Sequence, residues 1–166
     1  MASASLDPEK IRESFPNLTI PIIHGTAHYF SIAKVHASLN ENATSVYSYR
    51  GNPALGHYIL TALDAEYLLR SGIAFIILFN PGVHPVVAPE ATDAQITHTK
   101  REHKESMREF RLFKAVDNAL KNHLGNAIDD IYIKDLRDRV TGFATRSVRD
   151  FLNTFTEHTG QSHPHN

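Results

Sequence analysis

ALKNHLGNAIDDIYIKDLRDRVTGFATRSVRDFLNTFTEHTG, residues 119–160, is the stretch that decides the fold. Apolar residues recur in it at helical spacing through Leu120, Leu124, Ile128, Ile131 and Leu136. Gly142 is the residue type that ends a helix in the left-handed conformation, so the first helix is expected to run up to it. A second helix follows at once. Thr145 or Ser147 is placed to cap it, and Ser147 with Asp150 three residues on has capping-box spacing. Val148, Phe151, Leu152 and Phe155 form its apolar stripe before Gly160 closes it. The expected unit is a C-terminal helical hairpin with these apolar residues as its core. Two amphipathic helices need a further surface to cover their stripes.

Immediately before the hairpin, residues 92 to about 124 contain neither proline nor glycine, and Thr92 is a plausible cap, so one long helix is expected. Its apolar positions, Ile96, His103, Met107, Phe110, Phe113, Val116, Leu120 and Leu124, drift round the helix and leave the first half with a thin apolar face. Cations outnumber acids between Lys100 and Lys121. Lys100, Arg101, Lys104, Arg108, Arg111 and Lys114 are therefore the candidate contacts to single-stranded RNA. The same residues also read as a solvated helix face, because Arg101 with Glu105 and Asp117 with Lys121 are opposite charges one helical turn apart.

Towards the N-terminus the pattern is mixed. The run Ile73 to Phe79, between Gly72 and Asn80-Pro81-Gly82, is expected to be buried as a strand or a helical turn, which periodicity does not separate. A short helix is expected from Asp64. Gly51, Pro53 and Gly56 mark a loop, and Phe30, Ile32, Val35 and Leu39 a helix ending near Asn40 and Asn42. Asp7-Pro8 starts one short helical turn within a loosely held arm. The expected fold is thus mainly α, with a long helix, the C-terminal hairpin and one short strand at most in the N-terminal half. Residues 1–19 are the arm, 20–89 the N-terminal lobe, 90–160 the C-terminal helical lobe and 161–166 a disordered tail.

A net charge of −1 removes the argument for general electrostatic attraction to nucleic acid or membranes, so any such binding must be local. The absence of cysteine excludes a disulfide, a thiolate metal site and a cysteine nucleophile. No signal-peptide pattern and no apolar run of membrane-spanning length occur, and a cytoplasmic protein is expected. Asn17-Leu-Thr19 and Asn42-Ala-Thr44 match the glycosylation sequon but, without a secretory signal, read as chance.

No catalytic constellation stands out, and neither a cofactor nor a metal is expected. His24 and His28 flank a glycine, and His98 and His103 are five apart, where a metal-binding helix places two histidines four apart. Gly51 and Gly56 have phosphate-loop spacing, but His57 and Tyr58 stand where lysine and a hydroxyl residue belong. Asp129 and Asp130 read as exposed helix charges, with Asp130 pairing to Lys134. A small ligand pocket around His57, Tyr58 and the Ile73 to Phe79 run is the least favoured reading.

From Ile20 to Gly160 the chain resembles the Gag (capsid) region of Copia-type LTR retrotransposons, especially the Gag-like proteins of diatoms and other algae. The resemblance is carried by IPIIHG (20–25), LNENATSV (39–46), GNPALGHYILTAL (51–63), PGVHP (81–85) followed by Thr92, and the closing segment with Tyr132, Leu136, Gly142-Phe143, Thr145 and Gly160. Thr159 departs from the family's tyrosine. The resemblance implies a mostly α-helical capsid-like protein of two small lobes that self-associates into virus-like particles enclosing the element's RNA, with no catalysis and no small-molecule substrate. Family polyproteins continue into a Cys-Cys-His-Cys zinc knuckle, which a sequence without cysteine does not hold. The alternative is a monomeric RNA-binding or protein-interaction adaptor.

Overall fold

The computed structural model describes residues 7–62, 64–75 and 78–160, and the tail expected at 161–166 lies outside them. Five α-helices dominate: α1 (Pro8–Glu13), α2 (Tyr29–Ser45), α3 (Asp64–Ser71), α4 (Asp93–Ala127) and α5 (Val148–Gly160). Among the described residues β pairing is confined to one isolated bridge, Asp138 with Gly142. No helix there is long and apolar enough to cross a membrane.

The long helix α4 is the spine of the molecule. It begins in a reciprocal capping box, in which Thr92 Oγ1 accepts from the Gln95 amide (3.2 Å) while Gln95 Oε1 accepts from the Thr92 amide (2.8 Å). Its buried residues begin only at Ala115 and continue through Ala127. Around that second half one hydrophobic cluster gathers Ile11 and Phe15, then Val35, Leu39 and Ala43 of α2, then Val148, Phe151, Leu152 and Phe155 of α5. Segments on both sides of residue 89 therefore share a core.

The C-terminal hairpin forms, with a different first arm and turn. α4 stops at Ala127 because its last carbonyl is taken by the Ile23 amide (2.9 Å) and Ile128 turns extended. Asp129 then caps a 3-10 turn, Asp130–Tyr132, by accepting from the Ile131 amide (3.1 Å), and a second such turn spans Lys134–Leu136. Asp129 and Asp130 are thus not charges on a helix, and among the described residues no ion pair joins Asp130 to Lys134. Ile131 is 57% exposed rather than core, because the 3-10 turn swings it off the helical stripe, and Leu136 is only half-buried. Leu120, Leu124, Ile128, Val148, Phe151, Leu152 and Phe155 are buried as expected. Gly142 ends no helix; at φ +63° it closes a tight loop in which Asp138 and Gly142 exchange backbone bonds. Ser147 and Asp150 form the reciprocal cap of α5 (3.0 and 3.2 Å).

Two charged residues hold α5 against α4. The Asp117 carboxylate accepts from the Val148 amide (2.8 Å), and Lys121 Nζ donates to the carbonyls of Phe143 (2.8 Å) and Arg146 (2.9 Å). Both side chains are buried, so they do not form the solvated pair expected from their spacing. Burial pushes the Asp117 carboxyl up and the Lys121 ammonium down, and each charge partly offsets the shift of the other.

At the N-terminus Asp7 caps α1 through the Glu9 amide (3.0 Å). From Asp7 onward the arm is not loosely held: Ile11 and Phe15 are buried in the core, and α1 lies against α4. The described residues after α3 carry neither helix nor strand, and Ile73 and Phe79 are exposed, so the expected buried strand or helical turn is absent from them. Ile76 and Ile77 lie outside them. Phe75 is half-buried, edge-on to Tyr67 (5.5 Å) and stacked on Phe113 (6.0 Å).

Candidate nucleic-acid interface

Lys100, Arg101, Lys104, Arg108, Arg111 and Lys114 are all exposed on the first half of α4. At 3.6 residues per turn they fall within an arc of about 140°, and from Lys100 to Lys114 the row is about 21 Å long. Glu102, Glu105 and Glu109 occupy an adjoining arc of about 60°. The charges are therefore sorted by face. The pairing expected to neutralise them is not made, since among the described residues no ion pair joins Arg101 to Glu105. Two of the three acids turn to other partners: Glu102 meets His98 (3.1 Å), and Glu109 accepts from Arg50 Nε (2.8 Å).

Three contacts from distant sequence orient this half of α4. Arg50 grips Glu109, Phe75 stacks on Phe113, and the His84 ring lies 5.1 Å from that of His103. Sequence spacing gave no signal for them, because each partner comes from a loop far away in the chain. All three sit on arcs other than that of the six cations, which stay open to solvent. A row of this kind meets phosphates as point charges and forks, and reads no base.

The other chemistry-bearing residues are absorbed by packing. His57 is buried, its Nδ1 donates to the Val46 carbonyl (2.7 Å), and its ring rests on Phe113. Tyr58 is buried beside Tyr67, so the suggested ligand pocket is filled by its own side chains. Among the described residues no three histidine or acidic side chains converge as a metal site would require. Gly56 lies against the carbonyl oxygens of Thr44 and Val46, which repel phosphate, and Gly51 against Tyr67 and Phe75.

A polar network under α1 links both sequon asparagines. Asn42, fully buried, accepts from the Asn17 amide (2.9 Å) and donates to the Asn17 carbonyl (3.1 Å) and to His123 Nδ1 (3.2 Å), while His123 Nε2 donates to the Leu18 carbonyl (3.0 Å). Phe15 stacks on the His123 ring at 5.9 Å. Burial first, and the Arg12 charge after it, lower the His123 pKa; burial likewise lowers that of His57. The unfolded chain therefore binds more protons than the native one just below the ordinary histidine range. Stability from these rings is complete above about pH 6.5 and is lost as pH falls towards their lowered values. The melting temperature is expected to fall between pH 7 and pH 5, and less so in His123→Gln; equal slopes in both proteins would contradict the role of this ring.

No protein-family model, no curated protein and no solved structure matches the chain.

Proposed function

We propose that this chain is a Gag-like structural protein that associates with further copies of itself and holds single-stranded RNA along α4. The observation that carries the reading is the division of α4 at Ala115. Beyond that point the helix is the buried spine of the core; before it, more than five turns carry one-sided positive charge and bury no residue completely. A helix extended past the needs of its own core is available to a partner. The order of motifs from IPIIHG to the closing hairpin supports the Gag-like part of the reading. Exposed large apolar side chains, including Phe30, Leu69, Phe79 and Val86, supply surface that association would cover.

Light scattering on nuclease-treated protein, at rising concentration and with added single-stranded RNA, tests both halves. Concentration-dependent oligomers that enlarge with RNA are expected. Six phosphate contacts would give a salt slope of about −4 in log affinity, and reversing Lys104, Arg108 and Arg111 to glutamate would flatten it by about 2. Salt-dependent RNA binding by a strict monomer would favour the adaptor, and a monomer indifferent to RNA would remove the proposal.

A further inference from the structure

An open groove of about 540 Å³ lies between the segment Pro21–Thr26 and the start of α2, lined by Ile22, Ile23, Phe30 and Lys34 among others. Its volume is in the range of binding pockets, and its most prominent apolar wall, Phe30, is 78% exposed. Elsewhere on the same chain, residues 79–90 form a loop whose Phe79 and Val83 are exposed and whose Val86 is completely so. Pro81, Pro85 and Pro89 fix φ along it and remove donors that would otherwise need partners, so little conformational freedom remains to be lost on docking.

Groove and loop carry opposite charge: Lys34 rims the groove, whereas exposed Glu90 closes the loop and exposed Asp93 follows it at the start of α4. Neither covers the other within one chain, since Phe30 and Val86 are both open to solvent. We propose that residues 79–90 of one copy seat in the groove between Pro21 and Lys34 of a second copy, with Val86 against Phe30 and Glu90 towards Lys34. This contact rests on the self-association reading and specifies its geometry. It joins two different surfaces, so a joined pair retains one free groove and one free loop, and the contact propagates unless its rotation closes a ring.

The absence of native cysteine makes the test direct. Val86→Cys and Phe30→Cys place one thiol each on exposed positions, and mild oxidation is followed on non-reducing gels. The double variant is expected to give a ladder of linked species, a mixture of the two single variants linked dimers, and either single variant alone almost none. Dimers from Val86→Cys alone would replace the proposal with a loop-on-loop two-fold contact. Oligomers seen by light scattering without any ladder would overturn this contact and leave self-association standing; absence of oligomers would overturn both. Independently, Lys34→Glu should raise the concentration of half-assembly about tenfold, and adding Glu90→Lys should restore it. Failure of that restoration would count against the pairing.

Discussion

Replacing Gly56 with alanine is expected to destabilise the protein by about 2–6 kcal/mol. Gly56 adopts φ 48° and ψ −122°, a backbone region that only glycine occupies at ease. A Cβ at this position would also collide with the carbonyl oxygens of Thr44 and Val46 at the end of α2. Those atoms are backbone, so they yield only if the helix end moves. The same junction holds His57, whose amide donates to the Ala43 carbonyl (2.9 Å), and the shift would spread into the buried cluster of Tyr58, Ile59 and Tyr67. Urea unfolding should show a lower midpoint with an unchanged slope. A midpoint equal to that of the parent would mean that the chain leaves α2 by another path.

Phe151→Ala is expected to remove about 3–5 kcal/mol. The ring is 2% exposed and stands edge-on to Phe143 at 5.2 Å, on the side of α5 that faces α4. Alanine there leaves a cavity between two elements whose polar locks, Asp117 to Val148 and Lys121 to Phe143 and Arg146, hold the walls apart. Little collapse can relieve it. For a chain of this length the melting temperature should drop by roughly 6 to 20 °C. An unchanged value would contradict the packing of α5 described above.

The caps were legible in the sequence because they are local. Asp7, Thr92, and Ser147 with Asp150 each act across two or three residues, and all three caps form. The end of α4 was not legible, because the bond that terminates it comes from Ile23, more than a hundred residues earlier. Ile131 and Leu136 continued the apolar rhythm by sequence while the backbone had already left the α-helix. The six cations of the interface were visible as a local excess, and their common arc follows from their spacing. Their lack of ion pairs was not visible, since spacing puts Glu105 one turn from Arg101 and yet no ion pair joins them among the described residues. Asp117 and Lys121 were misread for the same reason: spacing gives the distance between two charges on a helix but not what is packed over them.

The shared core also sets a clock for the newborn chain. Ile11, Phe15, Val35, Leu39 and Ala43 share one core with residues from Ala115 onward. At ribosomal speeds of about 5–20 residues per second, the interval from Ala43 to Ala115 lasts roughly 4 to 14 s. During it the early helices carry apolar faces whose partners on α4 and α5 have not yet been made. The N-terminal half thus emerges as a client for chaperones, and a product broken off before α4 would be cleared or would aggregate instead of surviving as a smaller working unit.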